Sequence, residues 1–193
     1  METKAIYFDK AGKQNTDEVL HAAKLRAEEL GIKNIIVASN TGSTAVRATE
    51  ILKDFKIIAI SHVTGFRGNN TQEFTDANRK IIVSKGGTVI TAAHAFGGVS
   101  KAMKYKFDNI SIGDIMANTL YIFGQGLKVC CEISMMAADA GAARADEDAI
   151  AIAGTGKSGG ADTAAVITVV NSQNFFDMKV KEIICKPVSY GID

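Results

Sequence analysis

Short apolar runs recur along the chain and alternate with longer segments in which apolar and polar residues follow the period of a helix. The runs are rich in isoleucine and valine and have the length of β-strands. The predicted strands are Ala5–Phe8, Asn34–Ala38, Lys56–Ser61, Thr88–Ala92, Ala149–Ala153, Ala164–Val170 and Lys179–Lys186. Because the central runs contain few polar positions, we expect strands buried on both faces, as in a parallel sheet covered by helices.

The helical segments carry recognisable start and stop residues. These are the capping boxes Asn15 to Glu18 and Asn70 to Glu73, and the terminal glycines Gly31, Gly86 and Gly141. The longest predicted helix begins near Ser111, with Asp114 as its capping-box partner, and continues to Gly141. Strand and helix therefore alternate through most of the chain.

The alternation stops after Gly154, where a glycine-rich loop leads into two strand-like segments in succession. Successive strands without a helix between them indicate antiparallel pairing. We therefore predict one α/β domain over residues 1–193. Its three-layer αβα arrangement has a mainly parallel sheet with antiparallel additions at the C-terminal end.

Charge and cysteine usage narrow the class of protein. The 193 residues carry 22 basic and 21 acidic side chains, a net charge of +1, so we expect neither nucleic acid nor a membrane as a partner. Cys130, Cys131 and Cys185 have no CxxC or Cys/His spacing, and the histidines have no metal-ligand spacing. No apolar segment has the length of a targeting or membrane-spanning helix. We expect a cytoplasmic protein with free thiols and no metal.

A hydroxyl-rich turn follows the strand Asn34–Ala38 and opens the helix Ala45–Leu52. The turn consists of Ser39, Asn40, Thr41, Gly42, Ser43 and Thr44. In open α/β sheets, ligands bind outside the carboxyl ends of the strands, and a helix N-terminus there offers unpaired N–H groups to a phosphate. Thr41 or Ser43 alone would be explained as an N-cap. The whole turn predicts a site for a phosphate monoester.

A glycine-rich loop follows the strand Ala149–Ala153. It consists of Gly154, Thr155, Gly156, Lys157, Ser158, Gly159, Gly160, Ala161, Asp162 and Thr163. The loop contains G-x-G-x-x-G, but a strand rather than a helix follows, and position 151 lacks the glycine of a Walker A motif. We interpret it as a flexible backbone that wraps an anion or lies against a flat ligand. The alternative is a glycine-rich hairpin turn without a ligand.

A third candidate loop follows the strand Lys56–Ser61. It contains His62, Val63, Thr64, Gly65 and Phe66, followed by Arg67. These residues offer a hydrogen bond, a stacking face and a charge to a ring-bearing ligand. The alternative is that Phe66 closes the core. The segment after Thr88–Ala92 contains His94 and Phe96 and is a weaker candidate for the same kind of ligand contact.

Catalytic residues stay unassigned, because no nucleophile lies beside a base in any recognisable motif. Glu132 and Asp139 share one face of the predicted long helix. That helix returns from the ligand edge, so Asp139 is expected at the far end of the sheet. Asn118 and Tyr121, near the start of the helix, are better placed than either acid.

The hydroxyl-rich turn and the later glycine-rich loop together resemble the C-terminal domain of pyruvate kinase, and the strand and helix order fits over most of the chain. In allosteric pyruvate kinases that pair of loops holds a sugar bisphosphate effector. The catalytic barrel of those enzymes has no counterpart in this sequence, so we do not expect pyruvate kinase activity.

The opening Ile6-Tyr7-Phe8-Asp9 and Asn15-Thr16 resemble stand-alone archaeal proteins related to that domain, which are associated with flavin mononucleotide (FMN). The resemblance implies FMN as cofactor, with its phosphate at Ser39–Thr44 and its ring between the other two loops, in an arrangement that would suit a redox enzyme. The alternative is a non-catalytic sensor of a sugar phosphate that acts through an oligomer interface. We expect a homo-oligomer.

Overall fold

In the computed structural model, the described residues, 2–156 and 159–189, form a sheet of seven strands with helices on both faces. The strands are β1 (Ile6–Lys10), β2 (Asn34–Ala38), β3 (Lys56–Ser61), β4 (Thr88–Thr91), β5 (Asp148–Ala153), β6 (Thr163–Thr168) and β7 (Lys179–Ser189). The helices are α1 (Thr16–Leu30), α2 (Ser43–Ile51), α3 (Asp76–Ser84), α4 (Val99–Phe107), α5 (Ile112–Tyr121) and α6 (Gln125–Asp139). Every predicted strand is confirmed, with small differences in its bounds.

The strand order is β1-β7-β6-β5-β2-β3-β4. Strands β5, β2, β3 and β4 are parallel neighbours, whereas β6 is antiparallel to both β5 and β7. β1 is parallel to β7, so β6 alone runs against the other described strands. The predicted αβα fold, with a mainly parallel sheet and antiparallel pairing towards the C-terminal end, is confirmed. Its parallel strands end at one common edge.

Alternate residues along each strand enter separate cores on the two faces of the sheet. On β2, Ile35 and Val37 face helices α1 to α3, and Ile36 faces α6; all three are fully buried. The face towards α6 carries small residues, which are Ala149, Ala151, Ala153 and Ala165. Small side chains let α6 lie close to the sheet, and a Cβ atom on Gly126 would overlap the side chain of Thr163.

Most of the predicted helix ends are confirmed. The Ser111 hydroxyl accepts the Asp114 N–H at 3.1 Å, and the Asp114 carboxylate accepts the Ser111 N–H at 3.1 Å, which completes the capping box. Gly31, Gly86 and Gly141 adopt φ values of 68°, 80° and 69°. At these angles glycine avoids the steric penalty that other residues incur.

The two other predicted capping boxes are wrong. Asn15 precedes α1, but its side chain donates to the Lys10 carbonyl at 2.8 Å instead of capping the helix. Asn70 lies in a loop, and α3 begins after Thr75, whose hydroxyl accepts the Asn78 N–H. The predicted helix start, Asn70 to Glu73, therefore lies in the loop between β3 and α3.

The predicted long helix from Ser111 to Gly141 is also wrong, because it is two helices. α5 ends at Tyr121, and α6 begins at Gln125. Gly124 between them has φ 120°, a conformation that glycine tolerates and that interrupts a helix. Apolar residues continue across the break, so hydrophobic periodicity does not reveal it.

No helix within 2–156 and 159–189 is both long and apolar enough to span a bilayer.

Gly126→Ala tests the close approach of α6 to the sheet. Helix propensity alone would stabilise the variant by up to about 1 kcal/mol. The overlap with Thr163 instead predicts a loss of about 1–3 kcal/mol in the free energy of unfolding, measured by urea denaturation. Gly68→Ala is the matched control, since the nearest atom to its Cβ would lie at an ordinary 3.7 Å. A Gly126→Ala protein as stable as wild type would contradict the packing described for α6.

Candidate functional site

A cavity of about 700 Å³ opens at the carboxyl ends of β2, β3, β4 and β5. This volume is in the range typical of small-molecule sites. Residues from all three predicted loops line it, namely Ser39, Asn40, Thr41, Ser43 and Thr44, then His62 and Phe66, and then Gly154, Gly156, Gly159 and Gly160. The parallel strands thus bring together segments that are more than one hundred residues apart in the sequence.

The hydroxyl-rich turn is fixed by contacts on its outer side. Thr41 offers its carbonyl oxygen to the Asn78 side chain at 2.9 Å and to the Thr75 N–H at 3.2 Å. Gly42 packs against α3, and a Cβ atom there would lie 2.6 Å from Asn78 Cβ. Ser39 is buried, and its hydroxyl accepts the Ala45 N–H at 3.3 Å. Gly42 is therefore structural, while its neighbours present hydroxyl groups to the cavity at the N-terminus of α2.

A cluster of three rings lines the same cavity on the loops that follow β3 and β4. The ring centroids of His62 and Phe66 lie 4.0 Å apart, and His94 lies 5.3 Å from His62 and 5.2 Å from Phe66. His62 Nδ1 donates to Glu73 Oε2 at 2.7 Å, and Arg67 Nε lies 3.4 Å from the other carboxylate oxygen. The hydrogen bond from His62 is the main cause that lowers the pKa of Glu73, so this carboxylate is ionised and orients the imidazole.

His94 is held as a neutral ring. Burial lowers the pKa of its imidazole, and the neighbouring cationic side chains act in the same direction, against the carboxylate of Glu132. His94 Nε2 lies 3.4 Å from the Val63 N–H and can only accept that hydrogen bond when unprotonated. An uncharged flat surface therefore faces the cavity at this point.

Not every residue of the third loop reaches the cavity. Val63 and Gly65 line a smaller neighbouring space of about 230 Å³, and the Thr64 hydroxyl accepts a hydrogen bond from Gln72. The loop turns back on itself because the Gly65 N–H donates to the Thr71 carbonyl at 2.8 Å. Of the five predicted residues, only His62 and Phe66 line the main cavity.

The glycine-rich loop separates into a rim and a buried base. Gly154, Gly156, Gly159 and Gly160 line the cavity, whereas Thr155, Ala161, Asp162 and Thr163 are buried and are not among the lining residues. The predicted contacts of Lys157 and Ser158 lie outside the described residues. Thr155 Oγ1 is the single buried side-chain polar atom without a hydrogen-bond partner in the part of the chain that the structure describes.

Asp162 organises this loop from beneath. Its Oδ2 accepts the backbone N–H groups of Thr155 at 3.0 Å and of Gly12 at 3.2 Å, and its Oδ1 accepts the Thr163 hydroxyl at 2.8 Å. The residue is fully buried. Asp162 therefore ties the loop to the chain that leaves β1, so that the structure assigns it a supporting position rather than a place on the cavity wall.

Helices α4, α5 and α6 supply a group of lining residues that the sequence prediction missed. These are Lys101, Lys104, Asp114, Gln125, Lys128 and Glu132. Asn118 and Tyr121 line the cavity as predicted, and Asp139 lies away from it, where it accepts hydrogen bonds from Asn171 and from Ser172.

Glu132 lines the cavity together with Asn118 and Tyr121, although the sequence pattern ranked it below them. The break at Gly124 restarts the helix beside the cavity, so Glu132 lies only two turns from the start of α6. Lys128 and Glu132 are a basic and an acidic residue four positions apart on an otherwise apolar helix surface. That pair is the signal by which the sequence could have revealed them.

The three cysteines are poor candidates for chemistry. All are unpaired and buried. Burial raises the pKa of Cys131 and of Cys185 to about 12 and that of Cys130 well above its usual range, so none forms a thiolate at neutral pH. Within 2–156 and 159–189, no cluster of His, Cys, Asp and Glu side chains could hold a metal ion.

Asp162→Ala tests the support of the loop. The substitution leaves two buried N–H groups without an acceptor, each at a cost of about 1–3 kcal/mol. We expect a fall of about 2–5 kcal/mol in the free energy of unfolding, measured by chemical denaturation. Asp54→Ala, at an exposed position, is the control and should change stability by less than about 0.5 kcal/mol. Equal stability of the two variants would rule out this role for Asp162.

Comparison with known proteins identifies similar structures and the family of this chain. Two solved structures of pyruvate kinase from Cryptosporidium parvum are similar to it: one at TM-score 0.43 and 14% identity, over 80% of this chain and 23% of that one. The other, in complex with ADP, matches at TM-score 0.40 and 16% identity, over 78% and 22%. This chain therefore corresponds to less than a quarter of those enzymes. The family model for the pyruvate kinase alpha/beta domain matches residues 17–167, and the chain belongs to that family.

Proposed function

We propose that the protein binds a phosphorylated small molecule in this cavity and that the ligand is FMN. One observation carries the proposal: a hydroxyl-rich turn at a helix N-terminus and a cluster of aromatic rings line the same cavity of about 700 Å³. A ligand with a phosphate at one end and a flat ring at the other matches both walls. FMN has this form, with a polar ribityl chain between.

The phosphate end is supported by the turn Ser39–Thr44. The hydroxyls of Thr41 and Ser43 lie 3.1 Å apart, close enough to donate to one phosphate. The N-terminal N–H groups of α2 add partial positive charge at the same place. No acidic side chain of this turn opposes an anion.

The ring end is supported by Phe66, His62 and His94. Phe66 is 36% exposed, so part of its ring is free to contact a ligand. Aromatic surfaces of this kind favour offset contact with a planar ring. The glycines of the loop after β5 let the backbone approach the ligand closely, because they carry no side chain.

Binding of FMN is tested by the absorbance spectrum of the purified protein and by the thermal stability gained on adding FMN. We expect a yellow protein, or a colourless one whose melting temperature rises with FMN. A protein that stays colourless and gains no stability would contradict the proposal.

Ser43→Asp tests the position of the phosphate. A carboxylate at this site would face the phosphate, and like charges brought together cost several kcal/mol, so we expect FMN affinity to fall by about 100-fold or more. The measurement is a fluorescence titration. Ser84→Asp, an exposed position at the opposite edge of the sheet, is the control and should bind as wild type. If both variants bind equally well, the phosphate lies elsewhere.

A sugar phosphate sensor is the second candidate, favoured by the basic side chains of Arg67, Lys101 and Lys104 on the cavity wall. These charges could hold a second phosphate. Comparison of melting temperatures with a sugar bisphosphate and with FMN separates the two candidates. A shift with the bisphosphate alone favours the sensor.

We also propose that the protein is cytoplasmic and self-associates. The three unpaired thiols fit a reducing compartment.

Helix α4 has no buried residue, although an isolated helix of nine residues is unstable in water. The α4–α5 surface is strongly apolar and consists of Val99, Met103, Phe107, Ile110, Ile112 and Ile115, which are 47–81% exposed. Neighbouring large apolar side chains exposed to this extent are characteristic of interaction sites, and a second copy of the chain would bury them.

Ile112→Glu tests self-association through the α4–α5 surface. The new charge should disrupt the interface, while an acid in the first turn of α5 is compatible with the helix. We expect wild type to be at least a dimer and the variant to be a monomer in light scattering after size exclusion. Val83→Glu, at a 56% exposed position on α3, should keep the wild-type assembly. A monomeric wild type would contradict this part of the proposal.

A further inference from the structure

A buried ion pair lies on the cavity wall formed by α6. Lys128 Nζ and Glu132 Oε2 are 2.6 Å apart, and the two residues are only 8% and 6% exposed. Glu132 Oε1 accepts the Phe96 N–H at 3.2 Å, which fixes the carboxylate. The Lys128 ammonium also lies 5.3 Å from the Phe96 ring and 5.7 Å from the Tyr121 ring. The same ammonium contributes to lowering the pKa of His94, so the charge is held at the end of the cavity where the aromatic cluster lies.

Stability does not explain this pair. Removing two charges from water is expensive, and apolar residues of similar size are often equally stabilising or more so. Lys128 also lies in the first turn of α6, where the helix dipole disfavours a cation. A buried charge on a cavity wall, at a helix position that disfavours a cation, points to a role in orienting a ligand.

The geometry points to Lys128 as a ligand-binding residue that donates a hydrogen bond to an oxygen atom on the ring of the ligand, one that carries partial or full negative charge. An ammonium has three N–H donors. Glu132 accepts one, and the two aromatic rings provide only weak partners. The remaining capacity is available to the cavity. This inference rests on the proposed function and adds to it the chemistry of the ring.

For FMN the inference has a measurable consequence. Taking up two electrons and one proton leaves the ring with a negative charge, and a nearby ammonium should bind that form more tightly than the neutral oxidised form. By a thermodynamic cycle, each tenfold preference for the reduced form raises the midpoint potential of the bound two-electron couple by about 30 mV. A residue with a purely structural role would not change this preference.

The test compares wild type with Lys128→Met combined with Glu132→Gln. The double variant leaves no unpaired buried charge and keeps an acceptor for the Phe96 N–H, so it should fold. Dissociation constants are measured for oxidised FMN and, under anaerobic conditions with dithionite as reductant, for reduced FMN. We expect about tenfold weaker binding of oxidised FMN and a further tenfold for reduced FMN, so that the midpoint potential falls by about 30 mV. Lys85→Met, on the edge of the sheet away from the cavity, is the control and should match wild type in both dissociation constants.

The outcomes separate this inference from the proposed function. If wild type binds FMN and the double variant has the same preference between the two redox forms, the role of Lys128 is overturned and the proposed function stands. If folded wild type binds neither form of FMN, the proposed function is overturned, and the role of Lys128 with it.

Discussion

Parallel pairing of β5, β2, β3 and β4 is the constraint on which the cavity depends. Ile35 pairs with Ile57 on one side and with Ile150 on the other, so these strands run in register and end at one edge. Each connection between parallel strands is a crossover that runs over one face of the sheet. These crossovers place α2 and α3 on one face and α6 on the other. The loops that leave the strands are thereby collected at a single cavity.

The antiparallel strand β6 gives this cavity its glycine-rich rim. Because β6 returns directly beside β5, the intervening loop folds over the edge of the sheet instead of continuing into a helix. Asp162 then holds the base of the loop to the chain that follows β1. A loop of this composition would otherwise have many accessible conformations. Buried hydrogen bonds therefore fix the base of the loop, whose described glycines Gly154, Gly156, Gly159 and Gly160 line the cavity.

The two walls of the cavity differ in kind. The Ser39–Thr44 turn supplies hydroxyl groups and a helix N-terminus, whereas the loops after β3 and β4 supply aromatic rings, among which His94 has a pKa lowered by burial. Glu73 accepts a hydrogen bond from His62 and Glu132 accepts one from Lys128, and these contacts fix the His62 and Lys128 side chains on the cavity wall. A hydroxyl-rich surface and an aromatic surface therefore meet in one cavity.

The sequence by itself determined the strands and their alternation with helices, because these depend on the local hydrophobic pattern. Glycine and hydroxyl content also identified loops that the fold brings to the cavity. Only the tertiary structure decided that α5 and α6 are separate helices, that Asp162 supports rather than lines the cavity, and that Lys128 and Glu132 belong to its wall. Those features depend on contacts between residues distant in sequence. The backbone turn at Gly124, which the apolar pattern does not reveal, sets the direction in which Lys128 and Glu132 point.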